Sequence, residues 1–411
     1  MTATRPRAAY VHVPFCRHRC GYCDFTLVAG RDDLQAGYFT ALDRELARLG
    51  HAVDPSGPAT PPAGPLDVDT LYLGGGTPTH LGPDGLRRLF ALLAPRLRPA
   101  ARAEVTIEAN PSDVTEPLAA TLRDCGATRV SLGAQSLDPR TLAALDRDHS
   151  PADVQRAVGI LLGHGFTVSI DLMTAAPGQT LADVDRDLEA AVSLGTQHLS
   201  VYCLTWEKGT RFESRRRRGL VQPADESLER VMLERTIDHL TATGFEHYEV
   251  SNFARPGGRC RHNEAYWDCR PWEAFGPGAA RFDGRVRTTN HRSTTTWMRR
   301  LLAGADPAGD RETMTAIEAA RERVVLGLRR RDGLDRAAFA AASGFALDAV
   351  AGAAIARWAA RGLAGDDGRR VWLTREGLLV SDALWAEVLV PPRAGETSPR
   401  PLPQRSGTMP S

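Results

Sequence analysis

The chain has 411 residues, 42% of them apolar, and a formal net charge of +1. That length exceeds one ordinary domain and can bury a sizeable core, while the near-neutral charge gives no overall pull toward nucleic acid or an anionic membrane. No run of about 18 apolar residues occurs to span a bilayer, and no apolar export segment precedes the first strand, so a cytoplasmic protein with reduced thiols is expected.

The alternating segment Tyr10-Val-His-Val13 predicts a strand, and it runs straight into a C-x3-C-x2-C loop formed by Cys16, Cys20 and Cys23. Thiolates are the usual protein ligands of iron–sulfur clusters. A [4Fe-4S] cube asks for four ligands, and the next slot, two residues past Cys23, is Phe25. Three cysteines therefore point to a cube with one iron free to bind a small molecule. Zinc held by three thiolates and His12 or His18 is an alternative, although no second C-x2-C pair exists. Disulfides fit poorly with an odd total of seven cysteines.

Helical spacing follows over 34–49, then a Pro-, Gly- and Ala-rich stretch over 51–66 that predicts a surface insertion. From there strands and helices alternate. Strand 68–73 leads through Gly74-Gly75-Gly76-Thr77-Pro78 into a helix over 83–97. Strand 104–110 precedes helix 115–125, and strand 129–132 precedes a helix near Pro139. Helix 151–162, strand 167–172, helix 181–194, strand 198–205 and a long helix over 223–243 complete the pattern. About six such repeats predict an α/β fold, a full or partial (β/α)6 TIM-like barrel over residues 1–245. Chemistry in such barrels gathers at the C-terminal strand ends. Those ends carry the cysteine loop, the glycine run, Glu108-Ala-Asn110, Gly133-Ala-Gln135-Ser136 and Asp171. Each alone has a bland reading, a turn glycine or a cap; their convergence on one rim does not.

Residues 246–310 hold His262-Asn263-Glu-Ala-Tyr266-Trp267 within a connecting region. Histidine is a standard axial ligand of heme iron and aromatic faces suit a macrocycle, but a turn cap beside ordinary core aromatics fits the same residues. Cys260 and Cys269 flank the motif without C-x2-C-H spacing and read as ordinary thiols, Cys125 and Cys203 as small core residues, and Arg215 to Arg218 as a solvated loop, with contact to heme propionates or an acidic partner as the alternative. Residues 311–390 predict helices over 316–328, 336–342 and 347–361, a small hairpin, and a closing helix over 376–387, a winged-helix-like α+β extension. Arg357 and Arg361 are too few for a nucleic-acid stripe. Residues 391–411 have a disordered composition.

Cys16-x3-Cys20-x2-Cys23 after His12-Val-Pro-Phe15, with Gly74-Gly-Gly-Thr-Pro78, resembles the radical S-adenosylmethionine (SAM) superfamily. Within it, the resemblance is to the branch of oxygen-independent coproporphyrinogen III oxidases and heme chaperones, over residues 10 to about 385. It implies a [4Fe-4S] cluster on the three cysteines and SAM chelating the fourth iron. Tyr10, Gly75, Gly76, Thr77, Glu108, Gln135, Arg147 and Asp171 match SAM-contacting positions of that branch. A reduced cluster would then cleave SAM to methionine and a 5′-deoxyadenosyl radical. The oxidases place a cysteine where Phe25 stands and carry a longer N-terminal extension, whereas the HNxxYW motif is typical of the heme chaperones. The resemblance therefore implies a heme chaperone, with His262 in heme handling and heme, a heme-acceptor protein such as a respiratory one, and an electron donor as partners. It implies no nucleic acid and leaves peripheral membrane contact open. Coproporphyrinogen III dehydrogenase is the alternative function.

Overall fold

The computed structural model describes residues 5–49 and 64–390. Most of the expected insertion and all of the expected tail lie outside the described residues. The chain starts in strand β1 (Ala8–Val13), makes the two-residue strands β2 (Phe15–Cys16) and β3 (Val28–Ala29) around the cysteine loop, and enters α1 (Gln35–Leu46). Then come β4 (Leu66–Gly75), α2 (Gly82–Leu93), β5 (Leu97–Ala109), α3 (Glu116–Asp124), β6 (Arg129–Gln135), α4 (Pro139–Ala144) and α5 (Pro151–Gly163). The alternation finishes with β7 (Thr167–Thr174), α6 (Leu181–Ser193), β8 (His198–Cys203), α7 (Arg211–Arg217) and α8 (Glu226–Ala242). Strands β1, β4, β5, β6, β7 and β8 are neighbours in that order and all parallel.

The stretch read as a connector adds to this sheet. Strands β9 (Glu246–Glu249) and β10 (Asn252–Ala254) extend it antiparallel beyond β8. After α9 (Arg261–Trp267), β11 (Trp272–Phe275) pairs parallel with β1. The antiparallel strands β12 (Ala280–Phe282) and β13 (Val286–Asn290), then β14 (Ala308–Thr313) beyond α10 (Thr294–Leu302), follow. The result is one mixed twelve-stranded sheet running from β14 to β9, whose end strands do not pair with each other. The barrel is thus partial, as β-sheet closure would require that missing pair.

Several expected boundaries shift for local reasons. The helix expected over 83–97 stops at Leu93 because Pro95 cannot donate to the helix, and Leu97 already pairs with Leu66 in the sheet. Arg215 to Arg217 belong to α7 rather than to a loop: the Thr210 side chain accepts from the Glu213 N–H and caps that helix. Cys125 follows the end of α3 half-buried, and Cys203 ends β8 exposed at the rim, so neither is a core thiol.

Residues 316–389 form a separate cluster: α11 (Ala316–Leu328), β15 (Leu334–Asp335), α12 (Arg336–Ser343), α13 (Leu347–Ala360), β16 (Ala364–Asp366), β17 (Arg370–Leu373), α14 (Arg375–Leu379) and α15 (Ser381–Leu389). Val324, Phe339, Ile355, Trp358, Val371 and Trp385 pack into its own core. The expected closing helix is broken at Val380 into two. Arg259 to Asp332 (2.9 Å) and Arg230 to Glu376 (2.7 Å) tie this unit to the barrel.

Period-two alternation explains what the barrel encloses. Outward positions such as Leu71, Leu73, Val105, Ile107, Val130, Leu132, Val168 and Ile170 are aliphatic and buried under the helices. The alternate, inward positions are polar or aromatic: Tyr10 and His12; Thr70 and Tyr72; Thr106 and Glu108; Arg129, Ser131 and Gln135; Ser169 and Asp171; His198 and Tyr202. A barrel interior is ordinarily filled with branched aliphatic side chains. Here Tyr10, Tyr72, Glu108, Gln135 and Asp171 stay half-buried, and Tyr202 remains 42% exposed, although strands surround them. Toward the C-terminal strand ends the interior is polar and reached by water, while Thr70, Thr106, Arg129, Ser169 and His198 below are buried.

Candidate cofactor site

The cysteine loop lies across the C-terminal end of β1. Its start is pinned by the β2–β3 pair, with Val28 N–H donating to the Pro14 carbonyl at 2.8 Å. Cys16 and Cys20 are buried and Cys23 is half-buried; all seven cysteines are free thiols. Cys16 Sγ lies 3.3 Å from Thr77 Oγ1, and Arg147 Nη1 donates to Cys20 Sγ at 3.4 Å. Burial pushes the Cys16 thiol up to about 12, with the Thr77 hydroxyl acting against the rise. Such a thiol ionises when a metal takes the proton's place. Among the described residues no three His, Cys, Asp or Glu side chains converge on a point suited to a single ion. Thiols set apart on one loop, two of them beside a hydrogen-bonding side chain, fit a larger iron–sulfur body better than zinc.

The glycine run is sterically dictated. A Cβ on Gly74 would meet the Glu108 carboxylate at 2.9 Å, one on Gly75 the His12 ring at 2.5 Å, and one on Gly76 the Phe15 carbonyl oxygen at 2.7 Å and Cys16 Sγ at 3.0 Å. Gly75 also has φ +115°, a conformation side chains disfavour. Their N–H groups are engaged within the protein: Gly75 donates to Glu108 Oε2 (2.9 Å), Gly76 to the Val13 carbonyl (2.8 Å), and Thr77 to the Phe15 carbonyl (2.7 Å). The run thus welds the end of β4 to the cysteine loop instead of offering free donors. Gly75→Ala is expected to destabilise the protein by about 2–4 kcal/mol through the clash and the backbone strain, and to lower cluster loading; melting temperature and bound iron measure both.

Glu108 sits opposite, accepting from Tyr72 OH (2.9 Å) as well as from Gly75. Burial pushes its carboxyl up to about 7, and Asp171 adds to the rise. Asp171 is itself raised, chiefly by burial, and accepts from Ser131 Oγ at 3.1 Å. Two crowded carboxyls with raised pKa values make a site that favours a bound cation or hydrogen-bond donors. Arg147 Nη2 donates to the Gly133 carbonyl (2.8 Å), while its buried Nε has no partner. Gln135 at the end of β6 has φ +66°, and Asp146 (φ +55°) past α4 and Ala175 (φ +59°) past β7 share this left-handed backbone, as does Cys269 (φ +51°) past α9. Backbone strain in non-glycine residues clusters at functional sites.

Tyr10 OH lies 3.0 Å from His12 Nδ1, and His12 Nε2 lies 2.6 Å from the Thr26 carbonyl. The carbonyl can only accept, so Nε2 carries the proton and Nδ1 accepts from Tyr10. Burial holds His12 near 4, hence neutral. This relay joins β1 to the far side of the cysteine loop, and sequence reading missed it, along with Tyr72 and Ser131. The available signal was the polar alternation along each strand.

His262 meets this set through Tyr72. Its ring is 1% exposed, with Nδ1 2.9 Å from Thr70 Oγ1 and Nε2 2.8 Å from Tyr266 OH, and it stacks on Tyr72 at 5.1 Å. Both ring nitrogens are therefore engaged inside the barrel. Tyr266 continues edge-on to Trp272 at 4.7 Å.

Comparison with known proteins places these features. The family described as "Radical SAM superfamily" matches residues 10–191, and "HemN C-terminal domain" matches 314–380. A heme chaperone HemW from Mycobacterium tuberculosis is 40% identical over 385 residues, covering 92% of this chain and 94% of the relative. The chain belongs to the HemW family of heme chaperones. A Bacillus subtilis HemW is 31% identical over 93% of this chain and 99% of its own length. The solved structure of Escherichia coli coproporphyrinogen III oxidase (HemN) shares the fold, with TM-score 0.80 at 21% identity over 94% of this chain and 90% of that one. In this HemW-family chain Phe25 is 63% exposed beside Cys23, an apolar surface residue where the decarboxylating branch was expected to carry a thiol. Among the described residues no helix is long and apolar enough to cross a membrane.

Proposed function

We propose that this protein binds heme and passes it to an acceptor protein, carrying a [4Fe-4S] cluster on Cys16, Cys20 and Cys23 with SAM beside it. The observation that supports this reading best is the buried thiol loop facing a polar, water-accessible barrel mouth in a HemW-family chain. When bound and reduced, such a cluster supplies an electron to the SAM sulfonium. The protein's own groups would do the rest. Arg147 and Thr77 would hold charge at the thiolates. Glu108 would accept from an ammonium, while Gln135 and Asp171 would meet adenine or ribose hydroxyls, and Tyr10 would keep His12 in its neutral tautomer. Gly75, Gly76 and Thr77 would fix the loop against β4 and leave room for the ligand. His262 would serve heme handling indirectly, by locking Thr70, Tyr72 and Tyr266 into the wall. The acceptor belongs to the class of heme proteins, a respiratory one included, and contact with a membrane surface is compatible with such delivery.

The test is anaerobic reconstitution with iron and sulfide, then titration with heme followed by its absorption band. Coproporphyrinogen III is assayed in parallel by mass spectrometry, with SAM, a one-electron reductant for the cluster and a terminal electron acceptor supplied. Stoichiometric heme binding without porphyrinogen turnover is expected; formation of protoporphyrinogen IX would overturn the chaperone reading in favour of the dehydrogenase.

A further inference from the structure

Charge on this chain is unevenly distributed. The cysteine loop and the segment over 206–220 together carry seven arginines and one lysine against three carboxylates, in a protein whose overall charge is only +1. The fold makes these two segments one surface. Phe212 N–H donates to the Gly21 carbonyl at 2.9 Å, Arg211 Nη2 donates to the Arg19 carbonyl at 2.6 Å, and the Tyr22 and Phe212 rings meet edge-on at 6.1 Å. A Cβ on Gly21 would strike the Phe212 ring at 2.2 Å, so α7 lies directly on the loop. Part of the charge is compensated: Arg17 reaches Asp113, Arg211 reaches Asp146, and Arg216 and Arg217 share Glu213. Arg215 and Arg218 have no carboxylate partner among the described residues, and Arg19 donates only to carbonyls of the loop. Apolar side chains stand within this basic field: Phe25 is 63% exposed beside Cys23, the most accessible of the three thiols, and Leu220 is 62% exposed beyond α7.

We infer that this face docks the acidic surface of a small electron-carrier protein, which delivers one electron to the cluster past Cys23 and Phe25. The inference rests on the cluster assignment proposed above. The step is an outer-sphere transfer: the reduced carrier loses one electron, the cluster gains it, and no atom moves. Exposed apolar side chains on a surface that also carries unpaired arginines match the demands of a weak, fast-exchanging redox encounter, where complementary charge sets the association rate. The heme-acceptor protein is the competing occupant. The position of the patch over the thiol loop, rather than over the aromatic wall around His262, favours the electron carrier.

The experiment uses the full chain and a reduced acidic flavodoxin as probe. Binding is measured by fluorescence anisotropy on protein without cluster, and reduction by the loss of visible cluster absorption on reconstituted protein. The Arg215→Glu/Arg218→Glu variant is compared with Arg102→Glu/Arg361→Glu, which makes the same charge change on exposed residues outside this face. At about 0.02 M salt, charge reversal on the face is expected to weaken binding and slow reduction by roughly tenfold or more, and at about 0.5 M the difference should largely vanish. The control pair should behave as wild type, and photoreduced deazaflavin, a small neutral reductant, should reduce every variant equally. Equal behaviour of the two double variants toward flavodoxin would overturn the docking inference. Slowing by deazaflavin as well would overturn it too, by showing damage to the loop. Wild-type protein that takes up no cluster iron would overturn the site reading itself, and this inference with it.

Discussion

Cys16→Ala will leave the reconstituted protein with little cluster iron, and the same is expected of Cys20→Ala and Cys23→Ala. A cube already short of one protein thiolate has no spare ligand on this loop, and His18 and Asp148 nearby are poor substitutes for a thiolate toward iron. Cys203→Ala and Cys125→Ala serve as controls, because the first lies exposed at the rim and the second half-buried at the end of α3. Iron and sulfide content, with the visible absorption of the reconstituted protein, decides the matter; full cluster content in Cys16→Ala would refute the ligand assignment. Folding should survive, since Cys16 contributes only a small buried side chain at the end of β2 and the backbone bonds of β2 and β3 remain.

His262→Ala will destabilise the fold more than it alters heme affinity. The substitution strands Thr70 Oγ1 and Tyr266 OH without their ring partners and opens a void beneath Tyr72, which together cost about 3–5 kcal/mol. Urea midpoints measure the loss, and heme titration well below the melting temperature separates the two roles. Abolished heme binding in a variant that remains folded would instead make His262 a heme ligand, through an opening that breaks both hydrogen bonds. The same ring also gives a pH signature. Burial holds His262 near 3, below the ordinary value of 6.5 that it regains on unfolding. Above 6.5 both states are neutral and no penalty exists; as pH falls from 6.5 toward 3 the unfolded chain takes up the proton and stability drops. His262→Gln, which keeps a donor and an acceptor, should flatten that acid-side slope by about one proton relative to wild type.

How far these features could be read from residues alone varies with their physical origin. The parallel repeats and the cysteine loop were legible because helix caps, period-two strands and ligand spacing are local properties. The glycine run was legible as special, but its reason is not local: the atoms that forbid a Cβ belong to His12, Phe15 and Glu108, brought there by the fold. Nor are the run's N–H groups free donors: Glu108 and the Val13 and Phe15 carbonyls take those of Gly75, Gly76 and Thr77. The segment over 272–313 escaped notice as sheet because its strands are short and the pairing that joins them to the barrel is remote in sequence; β11 is only four residues long and pairs with β1, the first strand of the chain. α7 was hidden by its own charge, four consecutive arginines masking the Thr210 cap. For His262, the motif announced that the residue matters, while only the three-dimensional neighbours reveal that its ring is enclosed.

The missing pair between β14 and β9 has a mechanical meaning. In a closed barrel the circumference is fixed by its ladder, and admitting a broad, flat molecule means tearing two strands apart. A sheet with free ends behaves instead like a split ring: its bore can dilate by a small change of twist at each strand pair, with every ladder hydrogen bond kept. On the β9 side the split is spanned by the bridge from Glu249 to Arg330 and by Arg331 N–H donating to the Tyr248 carbonyl, so the C-terminal unit acts as a clasp on that ring.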